Sequence, residues 1–449
     1  MDPHEIDKLP GTHGKVHRSV PASIWVSTLY FCEGLPFSIV RLMSSVYFKD
    51  LGVPNRLIGL FSSVGLAWSI KLIWSPLVDL VSTRRRWLLI TQGLLVISGL
   101  VLALTPGLSF KVEAAMIAMA AMALLSATQD IAIDGYYLEA LNEKDQAEYA
   151  GMRVAAYRVA MIVGSGALVA LAGLTGWTAG FGAAAVIMGL LLFFHALFLP
   201  VLEKKQGKGR ERNGKDNPEQ NRDATCKAQA LSLSTFMEAF TSYLHQPRII
   251  LVLLFIMLYK QGDALLFAMN TPFFMDIGVT VPQLGLIAGT IGKIASIGGS
   301  IAGGMLMARL GVKKGVWILS FAMNVPIAMY IWLAHEAAKG QHVSLLLVGT
   351  VHSLEQLAAG LGTAAYMVFL MRTCSKKYKA AHYAIATSLM ALGMTGAGMV
   401  SGYLTEALGY EEFFWVCFAA TLPGLLMMWF LPFGRFAADM ENHARAGKP

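Results

Sequence analysis

The chain has 449 residues, of which 55% are hydrophobic and only 14% charged, and its mean hydropathy is +0.56. A water-soluble domain carries roughly a quarter of its residues as charges, so this composition excludes an ordinary soluble globule. Its apolar runs of about twenty residues match a bilayer core and imply membrane-spanning helices. The formal net charge of +8 falls between those runs and not along one amphipathic face, which reads as membrane topology and not as a nucleic-acid surface.

In chain order, a polar segment 1–21 lacks the apolar core and cleavage site of a secretory leader. Six predicted spans follow, 22–48, 56–79, 87–106, 112–138, 150–174 and 178–201, forming an N-terminal half over 22–201. Segment 202–247 comes next. Its first part, EKKQGKGRERNGKDNPEQNRD, is polar and free of aromatics, and is expected to be a flexible linker. Its second part, LSLSTFMEAFTSYLHQPR, spaces apolar residues as an interfacial helix does. Spans 248–274, 283–308, 314–335, 343–371, 379–403 and 411–433 form a C-terminal half over 248–433, and a tail occupies 434–449. The expected fold class is all-α integral membrane, with twelve transmembrane helices in two six-helix halves. With the N-terminus inside, the inner segments hold roughly 26 Lys and Arg and the outer loops about 4. That bias predicts cytoplasmic termini and a cytoplasmic linker, and the membrane is expected to be a bacterial cytoplasmic (inner) membrane.

An ionisable side chain at bilayer depth costs about 2.5–3.5 kcal/mol on insertion scales, so each one needs a partner or a task. Span one carries Glu33 in CEGLP, where Gly34 and Pro36 predict a broken or kinked helix, and Arg41 two turns later. Span two carries Lys71 between Trp68 and Trp74, then Asp79 ahead of Arg84, Arg85 and Arg86. Span four ends SATQDIAIDGYYLEA, so Asp130 and Asp134, four apart, share one helix face with Gln129 beside it. Two carboxylates so close in a low-dielectric site do not both ionise readily, as a proton carrier requires. The alternative is that Asp134 lies at the cytoplasmic end and pairs with a loop arginine. Span five carries Tyr157 and Arg158, and span seven carries Lys260, Gln261, Asp263 and Asn270. Lys260 and Asp263, three apart, either neutralise each other or serve a ligand. Span eight carries Lys293, and span ten places His352, Glu355 and Gln356 on one face.

Charges from both halves at midplane depth predict a polar cavity at their interface, suited to a large, hydroxyl-rich anion. Trp68, Trp74, Tyr157 and Tyr366 either offer faces to sugar rings or serve as packing anchors. Gly164, Gly166, Gly298, Gly299, Gly303 and Gly304 read as close helix packing. Cys32, Cys226, Cys374 and Cys417 lack metal-ligand spacing. No Walker A, H-E-x-x-H or G-x-S-x-G sequence occurs, so no metal, cofactor or enzymatic activity is expected. Transport without a nucleotide loop draws on an ion gradient, and the carboxylates Asp130, Asp134 and Glu33 point to protons.

Six spans, a basic linker and six more resemble the major facilitator superfamily, whose halves are parallel repeats. The loop with Asp79, Arg84, Arg85 and Arg86 has a weak counterpart at Gly303, Gly304, Arg309, Lys313 and Lys314. In the superfamily this loop helps hold one conformational state; a loop that only sets topology is the other reading. Within it the chain resembles the muropeptide permease (AmpG) family. FSSVGLAWSIKLIWSPLVD (Phe61 to Asp79) looks like that family's second helix, and RRRWLL from Arg84 like the next loop. SATQDIAID (Ser126 to Asp134) looks like the fourth helix and AYRVAM from Ala156 like the fifth. YKQGDAL (Tyr259 to Leu265), with TPFFMDIG ending at Gly278, is similar to the seventh, and Glu355 to Ala365 to the tenth.

The resemblance implies proton-driven import of disaccharides of N-acetylglucosamine and 1,6-anhydro-N-acetylmuramic acid, with or without a stem peptide. It thus implies cell-wall recycling and, in some bacteria, β-lactamase induction. Cargo carboxylates are expected at Arg41, Lys71, Arg158 or Lys260, and sugar hydroxyls at Gln129, Gln261, Asn270 or Gln356. Trp68, Tyr157, Asp263 and Glu355 complete the expected site. Partners are then muropeptide, protons and the bilayer, with the protein a monomer and no nucleic acid. The sequence departs from the family where Lys293 replaces an apolar residue, Gly289 replaces a lysine, and the loop lacks a glycine after its arginines. Rival readings are a carrier of another bulky anion, of siderophore or acyl-CoA type, and a non-transporting membrane sensor.

Overall fold

The computed structural model describes residues 20–75, 78, 82–201, 238, 240–246, 248–341, 343–375 and 379–431. The tail before residue 20, linker residues 202–237, the tail 434–449 and Asp79 lie outside the described residues. All regular structure among the described residues is helical. Among the described residues nine segments are long and apolar enough to cross a bilayer, and two more stretches join them. In chain order these are α1 (Ala22–Asp50), α2 (55–73), α3 (Arg84–Gly107), α4 (Lys111–Ala140), α5 (Glu148–Thr175) and α6 (Trp177–Phe198). There follow α7 (Ile249–Asp276), a continuous Val281–Ala338, α10 (Leu345–Arg372), α11 (His382–Leu408) and α12 (410–427). Val281–Ala338 turns at Gly311, whose φ of 74° only glycine adopts without strain, and so divides into α8 (281–310) and α9 (312–338). That gives the twelve segments expected.

Helix starts follow local chemistry. Thr83 and Ser344 cap α3 and α10 by accepting from the backbone N–H groups of Arg86 and Leu347, donors that a helix's first turn leaves unpaired. Helix surfaces follow the solvent: Ile117, Leu174 and Leu346 are 71%, 75% and 81% exposed, an apolar exterior that only lipid tolerates. The segment expected to lie at the interface is helical at Glu238 and over 240–244 among its described residues. It docks through Tyr243 and Gln246, which bond the Thr373 hydroxyl and carbonyl at 3.1 Å each.

One local expectation is corrected. Pro36 does not break α1, which runs through it from Ala22 to Ser38. The irregularity comes at Ile39–Met43, a π-helical turn, where a wider ring absorbs the disturbance. Two further π turns occur, Val163–Ala167 in α5 and Gly285–Ile291 in α8.

The halves meet along two glycine seams. In the first, a Cβ on Gly289 of α8 would collide with the Ser165 carbonyl of α5, and one on Gly173 would meet Pro282 at 2.5 Å. In the second, a Cβ on Gly402 of α11 would collide with the Asn55 carbonyl of α2. Polar contacts close the same end of the bundle. Lys49 Nζ lies 2.6 Å from Asp276 Oδ2, Tyr410 donates to that oxygen at 2.6 Å, and Asn55 Nδ2 donates to Tyr410 at 3.0 Å. This end carries the turns at 50–55, 276–281 and 408–410, which the topology expected from the charge bias would place outside, and is the outer end in that sense.

Candidate functional site

Two voids lie between the halves. The larger, about 430 Å³, is lined by Tyr30 and Glu33 of α1, Arg153, Tyr157 and Arg158 of α5, Lys293 and Ser300 of α8, and Thr363 of α10. These positions lie in the first halves of α1 and α5 and from the middle of α8 and α10 onward, so the cavity occupies the part of the bundle away from the outer end. The smaller, about 80 Å³, sits under the outer seal and is lined by Arg41, Ser45, Ser62, Asn270, Thr271 and Lys293 among others.

Beside the larger cavity, α1 and α4 bring carboxyl groups together. Glu33 Oε2 is buried without a hydrogen bond among the described residues, and the charges of Asp130, Asp134, Lys71 and Arg153 all act on it. Asp130 is 6% exposed; Lys71 Nζ approaches its Oδ2 at 3.4 Å, while its Oδ1 has no hydrogen-bond partner. Asp134 is held differently. It accepts from Tyr30 at 2.8 Å and from Arg153 at 3.0 Å, and the Arg153 guanidinium lies 4.5 Å from the Tyr30 ring centroid and 5.1 Å from that of Tyr137. Of the two readings open for Asp134, the structure has it paired with an arginine, which stands on α5 and not in a loop.

In the C-terminal half, Lys260 and Asp263 form a buried ion pair at 3.0 Å, and Lys260 also donates to Thr363 at 2.8 Å. Both side chains lie behind the cavity wall. Glu355 accepts from Gln356 at 2.9 Å, and His352 engages Tyr330 at 2.8 Å; all are buried. Arg41 donates to the Ser62 carbonyl at 2.8 Å.

The expected residues thus separate. Glu33, Tyr157 and Arg158 line the inner cavity, and Arg41 and Asn270 the outer void. Lys71 and Asp130 stand together beside Glu33. Trp68 packs its ring against Phe37 at 5.0 Å. Gln129 and Gln261 turn away from both voids, Gln129 donating to Cys32 Sγ at 3.3 Å and Gln261 to the Met257 carbonyl of its own helix. Tyr366 is no platform for a sugar: it is fully buried, stacked on Tyr259 at 4.6 Å. Arg84 and Arg85 reach carbonyls within the N-terminal half, Gly135 at 2.6 Å and Ala196 at 2.9 Å, while the Arg86 backbone amide donates to the Thr83 hydroxyl that caps α3. Sequence reasoning missed Arg153, Tyr30 and Thr363 as lining residues. Arg153 sits at the start of a span, where its charge reads as topology, and Tyr30 and Thr363 look like ordinary interior residues.

The sequence profile of the Major Facilitator Superfamily matches residues 26–352 and 261–447. The chain belongs to that superfamily. Among its relatives are an uncharacterized protein of Haemophilus influenzae, 31% identical, covering 90% of this chain and 92% of the relative, and the anhydromuropeptide permease of Escherichia coli K12, 29% identical, covering 91% and 79%. The putative transporter AmpG 4 of Rickettsia felis is 28% identical, covering 89% and 94%. The muropeptide permease resemblance therefore holds along nearly the whole of this superfamily member. Two solved structures are similar in fold. A bacterial homolog of the lysosomal transporter Spinster, inward-facing and unoccupied, has a TM-score of 0.71 at 14% identity, covering 93% of this chain and 97% of its own. A D-xylose-proton symporter has a TM-score of 0.65 at 14% identity, covering 91% and 97%. This superfamily member is a multi-pass transporter.

Proposed function

We propose that this transporter imports peptidoglycan turnover products, N-acetylglucosaminyl-1,6-anhydro-N-acetylmuramic acid with or without a stem peptide, by symport with protons. The observation that supports this most is the 430 Å³ cavity, in which a carboxyl group, two tyrosines and two cations without ion pairs among the described residues meet at the junction of the halves. Arg158 and Lys293 suit the carboxylates of a lactyl-peptide cargo, and Tyr157 a pyranose face. The relative named anhydromuropeptide permease supports the cargo class. With both termini cytoplasmic in the inner membrane, the sealed outer end faces the periplasm and the cavity serves the cytoplasm, an inward-facing arrangement.

The proton pathway in this reading runs through Glu33 and Asp130. Each has a buried carboxyl oxygen without a hydrogen bond among the described residues, so a proton can be placed there without breaking one. Protonating Asp130 frees Lys71, so proton binding changes the charge offered to cargo. Asp134, pinned by Tyr30 and Arg153, acts as a strut between α1, α4 and α5 that opens when its charge is lost.

The test is uptake of radiolabelled anhydro-disaccharide tripeptide into vesicles holding the protein, with and without an inward proton gradient. Uptake that rises with the gradient and collapses with an uncoupler supports both cargo and coupling. Absence of uptake by folded protein sinks the muropeptide reading and favours another bulky anion, which the same two cations would also serve.

A further inference from the structure

Lys293 lines both voids, and among the described residues no other side chain does. It stands two residues beyond the π turn Gly285–Ile291 and one helical turn from Gly289, which lines the smaller void. Its Nζ lies 5.0 Å from the Phe267 ring centroid. It has no ion pair among the described residues, although Glu355 and Asp263 act on it from farther away. Three neighbouring cations are held in ion pairs, Lys71 by Asp130, Lys260 by Asp263 and Arg153 by Asp134, whereas Arg41 donates to a neutral acceptor, the Ser62 carbonyl, and keeps its charge available to a ligand. Arg158 has no ion pair either, but it lines only the inner cavity.

An anionic group crossing the molecule therefore meets Lys293 from either side. We propose that Lys293 is a specificity-determining residue that grips the carboxylate of the cargo on both sides of the barrier. It does so with Arg41 in the outer void, and with Arg158 in the inner cavity. The inference rests on the transport reading above and names the chemical group that the site selects. An ammonium held only by a ring face exchanges readily for a carboxylate, which offers a stronger, charge-assisted hydrogen bond at no cost in a broken ion pair. Ser45, whose buried Oγ has no partner in the outer void, supplies a further donor there.

The experiment compares uptake of the anhydro-disaccharide bearing its free lactyl carboxylate with uptake of the same disaccharide as its carboxamide. Wild-type protein, Lys293→Gln and Lys293→Arg are measured below saturation. Wild type should prefer the acid, Lys293→Gln should lose about tenfold or more on the acid relative to the amide, and Lys293→Arg should restore the preference. Equal loss on both ligands, or an intact preference in Lys293→Gln, overturns the inference while leaving the transport reading in place. Wild-type protein that takes up neither ligand overturns that reading and the inference with it.

Discussion

At Asp130 one carboxyl oxygen meets Lys71 at 3.4 Å and the other has no hydrogen bond among the described residues, in a side chain that is almost fully buried. Replacing it by Asn keeps the shape and removes the titration. Gradient-driven uptake should then fall to background while counterflow exchange persists. Equal loss of both, in folded protein, would make Asp130 a binding or structural residue. Lys260 and Asp263 answer to a different rule. Each is buried, so removing one leaves the other's charge uncompensated, at about 3–5 kcal/mol, whereas removing both is nearly neutral. Lys260→Gln and Asp263→Asn should each lower the Tm, and the double variant should recover most of the loss. Sites of this kind were partly legible. Composition rules flag every ionisable residue inside a span, which is how Glu33, Arg158 and Lys293 came to notice. They do not say which face of a helix points inward. Gln261 therefore entered the expected site although it folds back on its own helix, and Asp134 stayed ambiguous until its Arg153 partner was visible.

Helices α5 and α8 touch through backbone, and a small residue at that contact decides how closely they approach. Gly289→Ala should wedge the seam, because the new methyl group would collide with the Ser165 carbonyl. The expected outcome is faster labelling of a Ser45→Cys reporter by an impermeant maleimide added from the outer side. Unchanged labelling would mean that the second seam alone holds the closure. The glycine pattern was legible in part. Gly166, Gly299 and Gly303 do pack against neighbouring helices, yet Gly298 and Gly304 face open space. Sequence spacing gives a helix a stripe, but not the side on which its neighbour lies. The π turns were not legible at all, since a single surplus residue leaves the apolar pattern almost unchanged.

For the whole molecule, hydropathy made the all-helical membrane fold legible because water and lipid impose it on any sequence. The closeness of the two halves is another matter, set by contacts that involve few residues. The outer seal consists of glycine seams, which contribute contact and little else, and a short chain of polar groups around Asp276. Lys49 is 15% exposed and Asp276 43%, so water replaces their interaction when it breaks, and such a pair is worth at most about 1 kcal/mol. Asp276→Asn should therefore raise outer-side labelling of the Ser45→Cys reporter without lowering the Tm appreciably; a large drop in Tm would assign Asp276 to the fold and not to the seal. A door fastened this lightly opens on thermal motion alone. Its traffic is then governed by what occupies the passage behind it, and an empty carrier should cycle between its two sides about as freely as a loaded one unless an unneutralised charge in the middle holds it back.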